Sequence, residues 1–338
     1  MINRQARAKM LPLGKLPPLL LSQFLSTLSA GSGGHGDRII IGPGVGLDCA
    51  VVEFGDRCLV AKTDPITFAS DEIGWYAVQI NANDIACSGA EPLFFLVTIL
   101  LPEAPGNAEL ARLVFNQIRT ACSELGVALI GGHTEITQGI SRPIVVGTML
   151  GEVAKDRLIT SAGARPGDQV LLTKGYPIEA VSIIAREAAG RLGNPDPVFL
   201  QRCRAFLQTP GISVVRDARI ALGAGTVTAM HDPTEGGIAT GLWEIAEASN
   251  CGIEIRVDAL PLLPEGEILC RLLHLDPIGC IASGALLLTV PESDAVCIKA
   301  ALEKNGIPAH VIGRVTEGCS VNVHRPERDE LTRLFSPT

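Results

Sequence analysis

The stretch NANDIACSGAEPLFFLVTILLP, residues 81–102, contains the change of period that decides the fold class. Its first third closes a helical pattern over 71–87, in which Ile73, Ala77, Ile80, Asp84 and Ala86 place small and apolar groups near one face. Residues 92–101 then form an apolar run of strand length and β-rich composition, more than a one-sided strand needs, so cover on both faces is expected. Upstream, strands are predicted at 38–41, 50–54 and 58–63. Downstream come a helix over 107–125, a strand over 127–130 that ends at the glycine turn GGHTE (131–135), and a strand over 142–153. Strand pairs alternating with two helices indicate an α+β unit rather than a succession of parallel βαβ units.

A second half begins where SAGARPGD (161–168) reads as an interdomain turn. It continues with a strand at 169–173, helices at 178–191, 198–206 and 214–222, and a short strand at 227–230 that delivers HDPTEGG (231–237). A helix over 238–249 follows. Further strands are expected at 252–257, 285–290 and 309–315, and helices at 265–273 and 292–305. At the front, residues 1–36 read as a helix and linker, with Leu20, Phe24 and Leu28 on one face.

Composition narrows the function classes. The 338 residues are 47% hydrophobic, enough for two domains with real cores. A net charge of −8 offers no general field for a polyanion, which argues against nucleic acid. Ten cysteines are scattered without a CxxC pair and read as small buried hydrophobes of a reduced, cytoplasmic protein. Lys15, Pro17 and Pro18 interrupt the N-terminal leucines, and no run of ~20 apolar residues suggests a membrane span.

Two kinds of residue point to chemistry. Asp48, Asp64 and Asp84 fall at or near the ends of predicted elements, where separate segments converge; Mg²⁺ takes such carboxylates together with substrate phosphates. Taken singly, Asp48 and Asp64 read equally as turn or capping residues, whereas Asp84 interrupts a small-residue face and needs compensation. Lys62, on the same strand face as Asp64, reads either as a phosphate contact or as a solvated strand lysine. The glycines of GPGVG (42–46), GG (131–132) and GG (236–237) allow backbone amides to approach an anion, the last pair opening a predicted helix. No GxxxxGK[ST] loop is present, which disfavours a Walker-type ATPase.

The succession GVGLDCAVV, VAKTDP, NANDIACSGAEPLFFLVTILLP, GGHTE and MHDPTEGGIATGLWEIAEAS resembles the AIR synthetase superfamily in order and spacing, and most closely its HypE-type hydrogenase maturation proteins. The resemblance implies an α+β fold of two domains. The first, residues 37–155, binds ATP and Mg²⁺ and pairs its sheet with a second copy in a homodimer; the second, 163–324, is an α/β sandwich. It implies Asp48, Asp64 and Asp84 as metal ligands and Gly44, Gly46, Lys62, Asn83, Gly131, Gly132, Gly236 and Gly237 as nucleotide-binding positions. Asp232 and His133 are the implied catalytic pair, His133 standing where many relatives carry Asp.

Leu47 replaces a carboxylate that many relatives have, and the sequence ends LFSPT with Cys319 as its last cysteine. Because HypE proteins carry their carboxamide on a terminal cysteine, a self-carried substrate is not expected here, and a partner protein is the expected carrier. The implied function is ATP-dependent activation of a carbonyl or carboxamide oxygen, in metalloenzyme maturation of hydrogenase type. The competing reading is a nucleotide-binding scaffold without turnover. Selenophosphate synthesis, suggested by GGHT, lacks a reactive Cys–Lys pair.

Overall fold

The computed structural model describes residues 11, 14–27, 35–44 and 47–335. After a short helix α1 (Pro18–Leu25), the first half contains β1 (Ile39–Ile41), β2 (Ala50–Phe54), β3 (Arg57–Ile66), α2 (Ile73–Cys87), β4 (Glu91–Pro102), α3 (Asn107–Leu125), β5 (Ala128–Thr137) and β6 (Ile144–Ala154). These strands form one sheet in the order β1-β2-β3-β6-β4-β5, antiparallel throughout except for β4 with β5. Leu28, expected on one face of the first helix with Leu20 and Phe24, lies outside the described residues, as does Gly46.

The second half contains β7 (Gln169–Thr173), α4 (Ile178–Glu187), α5 (Pro197–Ala205), α6 (Val215–Ala224), β8 (Ala229–His231), α7 (Gly237–Ser249), β9 (Gly252–Ile255), α8 (Pro264–Leu273), β10 (Leu287–Val290), α9 (Glu292–Lys304), β11 (Ala309–Thr316) and α10 (Thr332–Phe335). Its sheet runs β8-β10-β7-β11-β9, every pair antiparallel.

Helix α2 packs between the halves. Nearly all of it is buried because the sheet lies on one side, α3 on another, and α6 and β8 of the second half close the rest. A helix surrounded in this way needs small residues, and Gly74 faces the carbonyl of Val114 at a distance that a Cβ would reduce to 2.6 Å. The sheet yields as well: Gly147 and Gly151 lie on the buried face of β6, and a Cβ at either would strike Asn81 or Ile85, one helical turn apart on α2. The core follows from this arrangement, with Tyr76, Ile85, Phe95, Ile99 and Met149 fully buried.

One expectation is corrected. GGHTE is not a loop: β5 continues through it in parallel register with β4, pairing Gly131 with Leu96 and His133 with Thr98. The second face of β4 is left uncovered by the described residues; Phe94 is exposed, and Leu96 and Leu100 are half-buried. Seven of the ten cysteines are buried, which fits their reading as small buried hydrophobes.

Candidate active site

Period-two alternation on β3 places Lys62 and Asp64 on the face that meets α2. Lys62 Nζ lies 3.0 Å from Asp84 of α2, 3.2 Å from Asp64 and 3.8 Å from Asp48, which enters from the segment between β1 and β2. Three carboxylates from three segments thus surround one ammonium. Burial of Lys62 would lower its pKa, but attraction to Asp84, Asp48 and Asp64 outweighs it and holds the value well above that of an ordinary lysine. Asp84 is only 3% exposed, and burial together with neighbouring Asp232 and Asp48 drives its pKa well above normal against the pull of Lys62.

The second half contributes from the end of β8. Asp232, 1% exposed, accepts a bond from Cys87 Sγ at 3.7 Å and lies against Asp84; burial raises it to about 6. His231 beside it is buried between two carboxylates, Nδ1 3.2 Å from Asp48 and Nε2 2.9 Å from Glu244 of α7. Burial alone would lower the His231 pKa. The bonds to Asp48 and Glu244 reverse that, so the imidazole is held well above its usual pKa and is cationic at neutral pH. His231 and Lys62 in turn hold Asp48 below the ordinary carboxylate range despite its partial burial.

A cleft of about 340 Å³ opens over this cluster, lined among others by Gly44, Lys62, Asp64, Asp84 and Gly236, with Lys15 of the N-terminal segment reaching in from above. Residue Lys15 is exposed overall, but its ammonium donates to Thr234 Oγ1 at 3.4 Å and its backbone N–H to Glu235 at 3.1 Å. A larger hollow, about 510 Å³, lies elsewhere beside Arg219 and Ala86 and contains none of the residues selected from sequence.

Several selected residues do not join the cluster. His133 is 65% exposed and paired with Glu135 at 3.1 Å; the register puts it on the sheet face opposite Lys62, so within one chain it cannot reach the cleft. Gly131 and Gly132 share that edge strand, and a Cβ on Gly132 would strike the Val97 carbonyl, a close-packing reason for glycine there. Asn83 is turned toward the second half, donating to the Ile212 carbonyl and accepting from Val214 N–H, both at 2.8 Å, so its amide is not available to a nucleotide. The Gly236 N–H, expected to face phosphate, donates to Asp329 at 2.7 Å. Gly237 at φ +62° packs under the carbonyls of Ile278 and Cys280. Among the described residues, no group of His, Cys, Asp or Glu stands ready-made as a metal cage.

Sequence reasoning missed His231, Glu244, Lys15 and Asp329. His231 had a signal: it directly precedes Asp232 in a short apolar strand, where a charged ring needs partners. Glu244 lies on the helix that follows in the same stretch, whereas Lys15 and Asp329 come from segments remote in sequence that nothing local marks.

Comparison with known proteins follows the same division. Residues 46–153 match the AIR synthase related protein N-terminal domain, and residues 165–325 its C-terminal domain. The carbamoyl dehydratase HypE of Cupriavidus necator is 32% identical over 262 residues, covering 75% of this chain and 70% of the relative. A putative hydrogenase expression/formation protein of Methanocaldococcus jannaschii is 29% identical over 288 residues, covering 81% and 82%. The solved structure of hydrogenase maturation protein HypE in complex with ATP superposes with a TM-score of 0.65 at 26% identity, covering 77% of each chain.

Proposed function

The chain belongs to the AIR synthase related proteins, both of whose domain models it matches, and from that premise we propose that it is an ATP-dependent, HypE-like enzyme that phosphorylates a carbonyl or carboxamide oxygen in metalloenzyme maturation of hydrogenase type. The observation that carries the reading is the convergence of Lys62 with Asp48, Asp64 and Asp84 where the two halves meet. An ATP-bound HypE of related sequence supports the nucleotide.

Donor chemistry supports Mg²⁺ as well: Asp48, Asp64 and Asp84 are hard oxygen ligands of the kind it shares with phosphates, and Mg²⁺ bound there would neutralise phosphate charge. The chain's own groups do the rest. Lys62 fixes a positive charge beside the phosphates. Asp232, with its pKa near 6, can take and return a proton at the acceptor. In the transfer, the bond from the terminal phosphorus to the ADP oxygen breaks and a bond to the amide oxygen forms, while one N–H proton goes to a base. Loss of that phosphate with the second N–H proton leaves a nitrile, the dehydration that the relative's name describes.

Residues 37–155 and 163–324 are assigned as the two domains, in a cytoplasmic homodimer. The dimer face is the uncovered side of the first sheet, where Phe94, Leu96, Val146 and Leu150 remain partly or largely exposed. Gly131 and His133 lie on that side, so they could serve a cleft only across the dimer. A partner protein is assigned as carrier of the carboxamide. Incubation with ATP and a carboxamide labelled with heavy oxygen tests the reaction: label should appear in the released phosphate. Unlabelled phosphate would mean that water, not the amide, had been phosphorylated.

A further inference from the structure

Beside the acidic cleft, and sharing Lys15, Asp64, Thr234 and Glu235 with it, lies a second lobe of about 270 Å³. Ile66, Phe68 and Ile80 give it an apolar wall, and two polar groups face that wall: Glu179 from the first turn of α4 and Ser283 from the segment before β10. Glu179 is 4% exposed and Ser283 is fully buried. The Ser283 hydroxyl is near enough to favour the carboxylate, yet neither Glu179 Oε2 nor Ser283 Oγ completes a hydrogen bond with any described residue. Nearly all buried polar atoms in native proteins are bonded, so two adjacent exceptions at the wall of a cavity point to a ligand.

The character of that ligand follows from charge. Burial, and then Asp329, Asp232 and Glu235, push Glu179 up to about 8, so the carboxyl is protonated at neutral pH. A protonated carboxyl donates one hydrogen bond and accepts others, and a hydroxyl does both. Together they match a primary amide, whose carbonyl accepts and whose NH₂ donates. A carboxylate of the same size has no N–H to offer and meets the negative field of Asp64 and Glu235. Lys15 does not reverse that field, because its ammonium already faces Glu244, Asp48 and Glu235.

We propose that this lobe is the acceptor subsite and that Glu179 and Ser283 select a small primary amide over the matching carboxylate. The inference rests on the phosphoryl-transfer reading above, but its test is scored separately. Propionamide and propionate, nearly equal in size, are titrated by ligand-observed NMR into the full chain, with Mg²⁺ and a non-hydrolysable ATP analogue measured on the same samples.

Propionamide should bind and propionate should not. Glu179→Ala should weaken propionamide about tenfold, the loss of one buried hydrogen bond. Glu179→Gln keeps a neutral donor and acceptor and leaves the field of Asp64 and Glu235 in place, so it should hold propionamide within a few-fold and still exclude propionate. A merely structural Glu179 would show itself as a lowered melting temperature in Glu179→Ala with amide affinity unchanged. Ser283→Ala, which loses only a hydroxyl, decides the matter if Glu179→Ala does not fold. Equal binding of both probes, no propionamide binding, or undiminished amide binding in Glu179→Ala and Ser283→Ala would overturn the proposal. A wild-type chain that ignores the nucleotide would instead count against the parent reading.

Discussion

Replacing Asp84 by Asn keeps shape and a carbonyl oxygen but removes one negative charge from the centre of the cluster. At 3.0 Å from Lys62 Nζ, and with an effective dielectric near 20, the attraction removed is roughly 5 kcal/mol before solvation is counted. Most of this is offset in the free protein. Asp84 is buried beside Asp232, so its charge already carries a desolvation and repulsion penalty that the substitution relieves, and Lys62 keeps Asp64 at 3.2 Å and Asp48 at 3.8 Å. The net change in fold stability should therefore stay within about 1 kcal/mol, a shift of a few degrees at most. No such offset operates on Mg-ATP, because a dication loses a full ligand charge there. A charge-assisted contact contributes about 1.5–3 kcal/mol, so Kd should rise roughly 10- to 100-fold. Calorimetric titration with Mg-ATP, together with melting in the absence of ligand, separates the two effects. A mutant that melts well below wild type and binds Mg-ATP with unchanged Kd would show Asp84 to be a fold residue and would refute the reasoning.

Further outcomes follow from the same structure. Glu179 has its folded pKa raised to about 8 from 4.5, so the folded state holds the extra proton, and stability declines as pH rises from the unfolded value to the folded one. Glu179→Gln should remove that decline, its melting-temperature advantage growing from about pH 5 to about pH 8; a constant difference would contradict the assignment. His231→Ala leaves Asp48 and Glu244 without their shared cation and should cost about 3 kcal/mol by denaturant titration, with Glu244→Gln in the same chain restoring part of it. Leu96→Asp, on the uncovered face of β4, should convert a light-scattering dimer to a monomer without lowering the helical circular dichroism signal. Gly151→Val forces a side chain into Ile85 and the Glu91 carbonyl and should destabilise by about 1–3 kcal/mol, visible in the denaturation midpoint.

The legible parts of the sequence were those governed by local period and turn chemistry. Helix α3 begins and ends at the residues its pattern predicts, and β6 and α7 lie within two residues of expectation. The convergence of Asp48, Asp64 and Asp84 was legible because each falls at or near the end of an element. What failed depended on strand register and on distant partners. GGHTE looks like a glycine turn, but pairing with β4 extends the strand through it, and the parity of that pairing turns His133 away from Lys62. Asn83 sits next to Asp84 in sequence, yet one step along a helix rotates it toward Ile212 and Val214 rather than the cleft. The Gly236 amide is taken by Asp329, 93 residues later, a contact that no local pattern announces.

The most direct test is a crystal structure of the chain with Mg²⁺ and a non-hydrolysable ATP analogue. The account predicts the triphosphate in the cleft beside Lys62, with the cation on carboxylates drawn from Asp48, Asp64 and Asp84. Nucleotide bound in the hollow beside Arg219, with the Lys62 cluster free of ligand, would contradict it.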